Sequence, residues 1–153
     1  MTNAKRIVLS SDHGAVALRQ SVAAHIGAKG WDVVDIGPVT TESTPYPKHG
    51  REAAEMVASG ECAMGIILCG TGQGIMMSAN KVPGIRCGAC GDTFSARMIR
   101  AHNDANMLAL GARVIGEALA LDIVDAFLST EFEGGRHAPR VAMIEGGDAQ
   151  THG

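Results

Sequence analysis

The 153-residue chain is poor in aromatic side chains: Trp31, Tyr46, Phe94, Phe127 and Phe132 make up only 3% of it. So few rings leave almost no platform on which the bases of a single-stranded nucleic acid would stack. Positive charge is not in surplus either. Thirteen Lys and Arg stand against 16 Asp and Glu, a net charge of -3, which excludes a general phosphate-backbone footprint. No apolar run reaches the ~18–20 residues of a membrane span, and no basic stretch followed by an apolar one opens the sequence. Neither membrane insertion nor export is expected, and the expected compartment is the cytoplasm. By elimination, a small polar molecule is the better candidate partner.

Size and hydrophobic content, 46% apolar and 19% charged, describe a single domain spanning 1–153 that builds its core without staples. The four cysteines, Cys62, Cys69, Cys87 and Cys90, therefore read as free thiols rather than disulfides. Cys87-Gly-Ala-Cys90 has metal-ligand spacing, but neither a second CxxC nor an HxxxH pair accompanies it. In a strand, residues three apart face opposite sides, so these two thiols are expected to diverge into the core. Twenty glycines, roughly 13% against a usual ~7%, are scattered without a Gly-X-Y period. They are expected to serve tight turns and close backbone approaches.

Short apolar runs recur at Arg6–Ser10, Asp32–Ile36, Met64–Cys69, Ile85–Ala89 and Met107–Leu110, each reading as a strand buried on both faces. Between and after them lie segments of helical length and pattern, Val16–Ala28, Lys48–Ser59, Gly74–Val82, Thr93–Ala101 and Glu117–Ser129. Regular alternation with no hairpin signal predicts βαβ units and a three-layer α/β/α sandwich around a five-stranded, parallel, Rossmann-like sheet. Gly30, Gly60 and Pro83-Gly84 end the first three helices. Gly37–Pro47 is expected to be a surface loop. Phe132–His137 breaks the last long helix before an apolar pattern resumes at Arg140–Glu145, and Gly146–Gly153 is expected to fray.

In an open parallel sheet, ligands bind beyond the carboxyl ends of the strands. Ser11-Asp12-His13-Gly14 follows the first strand and Cys69-Gly70-Thr71-Gly72-Gln73-Gly74 the third. His102-Asn103-Asp104-Ala105-Asn106 follows the helix of the fourth unit, and these polar groups are expected to converge on one edge. Three glycines in five residues strip side chains from the 70–74 loop and expose its N–H groups to an anion or a developing oxyanion, although a plain strand-to-helix turn needs glycines too. A Walker loop would need Gly-Lys-Ser/Thr, a dinucleotide fingerprint a third glycine at Ile75, and a cysteine phosphatase loop an arginine at Ile75; none fits.

A thiol beside a helix N-terminus, Cys69, is available as base or nucleophile, and His102 as an acid–base partner. Asp12-His13 on its own reads as a helix cap with a solvated neighbour, and gains interest only from the other groups at that edge. Arg136 and Arg140, four apart on a nascent helix, suit a phosphate monoester, with Arg113 a third candidate. No metal-ligand set is found and no cofactor is called for. Together these groups suit enediolate chemistry on a phosphorylated sugar.

With these residues in place, the chain resembles the type B ribose-5-phosphate isomerases and their relatives, the galactose-6-phosphate and allose-6-phosphate isomerases. The match runs from Ile7 to about Ile144 through Ser11-Asp12-His13, Tyr46-Pro47, Cys69–Gly74, Ala79-Asn80-Lys81, Gly84-Ile85-Arg86, His102–Asn106 and Glu133-Gly-Gly-Arg136-His137-Ala-Pro-Arg140-Val141. The resemblance implies a metal-independent aldose–ketose isomerase working through a cis-enediolate. Cys69 would move the proton, and the N–H groups of Gly70, Thr71, Gly72, Gln73 and Gly74 would hold the enediolate oxygen. His102, helped by Asp12 and Thr71, would open the sugar ring. Asn103 and Tyr46 would contact the sugar, while His13, Arg113, Arg136 and Arg140 would hold the phosphate. It further implies a homodimer or homotetramer with shared active sites. Pro45 departs from the acidic residue that relatives often carry there, which leaves pentose and hexose phosphates (allose/allulose, galactose/tagatose) both open. A cysteine-dependent acyl hydrolase and a non-catalytic sugar-phosphate sensor are the readings from other classes.

Overall fold

The computed structural model describes residues 4–147, so 148–153 of the expected frayed tail lie outside the described residues. Five strands, β1 (Arg6–Ser11), β2 (Asp32–Asp35), β3 (Met64–Cys69), β4 (Cys87–Ala89) and β5 (Met107–Gly111), form one sheet in the order β2-β1-β3-β5-β4. Every pairing is parallel. The helices are α1 (Val16–Ala28), α2 (Tyr46–Ala58), α3 (Gln73–Ala79), α4 (Thr93–Ala101), α5 (Glu117–Ser129) and α6 (His137–Ile144). This is the expected three-layer α/β/α sandwich.

The two faces of the sheet are built by alternation. Ile7, Leu9, Ile66, Leu68, Leu108 and Leu110 pack with Val22 and Ile26 of α1, Ala96 of α4 and Ile123, Val124 and Phe127 of α5. Val8, Ile67, Cys69, Met107 and Ala109 pack with Ala53, Ala54 and Val57 of α2 and Ile75 and Ala79 of α3. The central strands β1, β3 and β5 are covered on both sides and read as near-continuous apolar runs, Ser10 and Ser11 apart. The edge strand β2 corrects the expectation of burial on both faces: Asp32 and Asp35 are exposed and Val33 and Val34 only half-buried, because no strand pairs with its outer side. Cys87 belongs to the second cluster and Cys90 to the first, so the two thiols do diverge. All four cysteines are free, and burial pushes the Cys90 thiol up to about 11 and Cys87 higher still.

Boundaries shift where side chains intervene. α2 starts at Tyr46, two residues ahead of expectation, because Pro47 sits in its first turn, where a missing N–H is tolerated. β4 starts at Cys87 rather than Ile85: the Arg86 N–H donates to Asn106 Oδ1, while Asn80 grips Cys87, accepting from its N–H at 2.8 Å and donating to its carbonyl at 2.9 Å. α3 ends at Ala79 rather than Val82, and α6 starts at His137. A 3₁₀ turn over His13–Ala15 precedes α1. Gly30, Gly60 and Gly84 take the positive φ that ends a helix or turn, as expected.

Arg19, 1% exposed, fastens the β1–β2 side of the sheet. Its guanidinium bonds Ser11 Oγ at 2.6 Å, the Pro38 carbonyl at 2.8 Å and the Asp35 carboxylate at 3.0 Å. Gly37 lies against that guanidinium, in space a Cβ would fill. α1, α4 and α5 cover one face, α2 and α3 the other, and the chain's crossovers diverge between β1 and β3, the place where such sheets open a crevice.

Candidate active site

Cys69 ends β3 and is buried, and the Gly72 N–H donates to its sulfur at 3.2 Å. That bond requires the chain to double back, which Gly72 does at φ 80°, and a Cβ there would stand 3.0 Å from the Leu110 backbone. A Cβ on Gly111 would meet the Thr71 carbonyl oxygen at 2.6 Å, so the loop rests directly on the end of β5. Thr71 Oγ1 accepts from the Gln73 N–H at 3.3 Å. The Tyr46 ring closes over Gly74, its nearest atom 2.7 Å from where a Cβ would be. Arg113 donates its N–H to the Gly70 carbonyl, and its side chain runs past the Gly70 α-carbon.

Across the crevice, Asp12 donates its N–H to the Leu68 carbonyl at 3.1 Å and caps the 3₁₀ turn, its Oδ1 accepting from Gly14. His13 and Thr44 hold one another: the His13 N–H donates to Thr44 Oγ1, and the Thr44 N–H donates to His13 Nδ1 at 3.0 Å. An Nδ1 that accepts leaves the ring proton on Nε2, facing outward from this pair. Thr44 was not singled out by the sequence pattern. The carboxyl edge thus brings together Asp12, His13, Tyr46, Cys69, Gly70, Thr71, Gly72, Gln73, Gly74 and Arg113. A cleft of about 240 Å³ between the loop and the ends of β4 and β5 adjoins Thr71 and Gln73.

His102, Asn103, Arg136 and Arg140 are not there, which corrects the expectation of a single edge. α4 runs antiparallel to the strands, so its C-terminus, His102, returns the chain to the amino edge before β5 begins. α5 does the same, and the Glu133 N–H bonds the Ala101 carbonyl beside that terminus. The five residues of β5, at about 3.3 Å each, put roughly 15 Å or more between the two edges.

At the amino edge, the His102 and His137 rings stack, centroids 4.2 Å apart and 13° from parallel. Glu133 Oε2 lies 3.4 Å from His137 Nε2 and 3.9 Å from His102 Nε2. Burial holds the His137 pKa below the ordinary imidazole value, with the His102 and Arg136 charges acting the same way and Glu133 opposing them. The side chains of Glu133 and His137 were legible only as parts of a motif; their closure on His102, more than 30 residues earlier, is a product of the fold. It supplies a cluster of ligand-type atoms that sequence spacing did not reveal. Other motif members are braces. Arg86 bonds the Asn103 and Asp104 carbonyls and Glu145, and Asn106 spans Gly84 and Arg86. Asp104 itself sits at φ 47°.

A family model described as Ribose/Galactose Isomerase matches residues 7–144. Ribose-5-phosphate isomerase B of Escherichia coli strain K12 is 45% identical over 140 residues, covering 92% of this chain and 94% of its own. The D-erythrulose-4-phosphate isomerase of Pectobacterium atrosepticum is 42% identical over 139 residues, 90% of this chain and 91% of its own. Among solved structures, ribose-5-phosphate isomerase B of Clostridium thermocellum matches with a TM-score of 0.91 at 52% identity, covering 92% of this chain and 95% of that one.

Proposed function

The chain belongs to the ribose/galactose isomerase family, and we propose that it interconverts D-ribose 5-phosphate and D-ribulose 5-phosphate in the cytoplasm through a cis-enediolate. The observation that carries this reading is the buried Cys69 thiol under a glycine loop, at the sheet edge where a ligand enters. Cys69 takes the proton from C2 of the open aldose and returns it to C1; the C2 hydroxyl proton passes to O1, so atoms and charge balance. The backbone N–H groups of residues 70–74 hold the enediolate oxygen, the place where fixed dipoles lower the barrier most. The scheme uses no metal ion.

His102 delivers a proton to the ring oxygen of the furanose, with Asp12 and Thr71 completing the relay. His13, through Nε2–H, and Arg113, Arg136 and Arg140 hold the phosphate; Asn103 and Tyr46 border the sugar. Because His102, Asn103, Arg136 and Arg140 stand on the opposite edge from Cys69, the site is completed by a second copy whose amino edge faces this carboxyl edge. A homodimer or a dimer of dimers follows. Apolar surface on both edges supports this, with Phe94 exposed at the start of α4, Val114 exposed beside the thiol loop, and Met143 and Ile144 exposed on α6.

The test is proton exchange. Cys69→Ala is expected to abolish incorporation of solvent deuterium into substrate while sugar-phosphate binding survives; exchange at the normal rate would remove the thiol from the mechanism. A panel of four-, five- and six-carbon sugar phosphates decides the substrate, since one relative is named for a tetrulose phosphate and Pro45 directly precedes Tyr46. A mass shift on Cys69 with an activated ester would instead favour an acyl hydrolase, and binding without turnover a sensor.

A further inference from the structure

We propose that His102, Glu133 and His137 form a binding site for a divalent transition-metal ion of the zinc class, and that its occupancy switches the enzyme off. One ring nitrogen each of His102 and His137 and a Glu133 carboxylate oxygen all lie within 4.8 Å of one another. A second observation points to a ligand. His137 is buried, and its Nε2 has no hydrogen-bond partner, the Glu133 oxygen being 3.4 Å away. A buried imidazole nitrogen left unpaired costs free energy that a cation would recover.

Two imidazoles and one carboxylate are a donor set that zinc accepts with a position left open, whereas magnesium and calcium prefer oxygen throughout. Metal–ligand bonds of about 2.0–2.2 Å bring three such atoms to within about 3–3.5 Å of each other. The cluster must therefore contract by about 1 Å. His137 is the fixed member, while His102 caps the end of α4 and Glu133 is exposed, so those two supply the movement. The stack must open as well, because each lone pair lies in its ring plane and near-parallel rings do not converge on one point. Arg136 and Arg140 stand close enough to repel a cation, which favours an ion that binds imidazole strongly over a hard one.

The inhibitory half rests on the role proposed for His102, since a nitrogen bound to zinc has no proton to give; the binding half does not. The experiment titrates chelator-stripped protein with Co²⁺, read by its visible bands, and with Zn²⁺ by calorimetry. It compares wild type, Glu133→Gln, His137→Asn and Cys69→Ala. Expected is a single ion per chain, weakened roughly tenfold or more by either cluster substitution, since even outer-shell losses cost that much, and unchanged in Cys69→Ala. Zinc inhibits the wild type and EDTA reverses it, while Glu133→Gln needs roughly tenfold more zinc for the same fractional loss of its own rate. Glu133 is exposed, so that variant decides if His137→Asn does not fold. Binding lost in Cys69→Ala but kept in Glu133→Gln makes the thiol the metal site and overturns the proposal, as does no binding at all. Binding at the cluster without inhibition overturns the switch and the ring-opening role of His102, but leaves Cys69 as the base.

Discussion

Tyr46 and Gly74 are packed so closely that the glycine is a requirement of the pocket rather than of the turn. Gly74→Ala forces a Cβ toward the Tyr46 ring, and overpacking of this kind costs about 1–3 kcal/mol. The expected result is a lower melting temperature and a raised KM, since the proposed function sets the ring against the sugar. Tyr46→Ala in the same chain should recover the stability but not the KM, a coupling that a double-mutant cycle measures. The glycine-loop pattern singled out Gly74 and the family resemblance Tyr46, yet only the fold shows that one lies against the other. His49 escaped notice for the opposite reason: it lies in a helical run with nothing to mark it. Both its ring nitrogens are buried without partners, and burial, more than the nearby Glu52, Lys48, Asp12 and Arg19 charges, sets its pKa below the ordinary value. The folded chain then binds fewer protons than the unfolded one as pH falls through about 6.5, so stability drops toward acid. His137 acts in the same direction. His49→Phe is expected to narrow the gap in melting temperature between about pH 7.5 and 5.5; an unchanged gap would move the acid sensitivity elsewhere.

At the scale of elements, the apolar runs and their glycine stops were legible because the central strands, covered on both faces, are almost wholly apolar. What was not legible is how side chains trim those elements. Asn80 and Asn106 shorten β4 by taking backbone partners, and no periodicity carries that information. Arg19 is a similar case, a charge in the first turn of α1 that ties the ends of β1 and β2 and the turn at Pro38. Arg19→Met leaves Ser11 and Pro38 without a donor and Asp35, partly exposed, without its cation. A loss of about 2–3 kcal/mol in urea unfolding is expected, below the range for fully buried pairs because water reaches Asp35. Gly37→Ala displaces the same guanidinium and should cost a comparable amount, yet be close to neutral in the Arg19→Met background. Additive losses would mean that Gly37 answers to something other than Arg19.

For the whole molecule, the decisive fact is that the residues of the proposed mechanism stand on two edges of the sheet. The motifs were readable in order along the chain, but order does not reveal the edge; that depends on the antiparallel run of α4 and α5, which carries His102 and Arg136 back to the start of the strands. Within one chain, Cys69 and His102 stand on opposite edges of the sheet, so the proposed mechanism requires each active site to draw Cys69 from one copy and His102 from another. This has a consequence that separates a shared site from two self-contained ones. Cys69→Ala and His102→Asn are each expected to be nearly inactive alone. If they are mixed and allowed to exchange subunits, half of the dimers are mixed, and in each of those one of the two sites has both residues intact. Activity should rise to about a quarter of wild type, the value set by random pairing around a two-fold axis. The recovery must depend on exchange, appearing after mild dissociation and reassociation and not on simple mixing below the exchange rate. Failure to recover after verified exchange would place both residues in one copy's site, which the sheet topology forbids, or remove one of them from the chemistry.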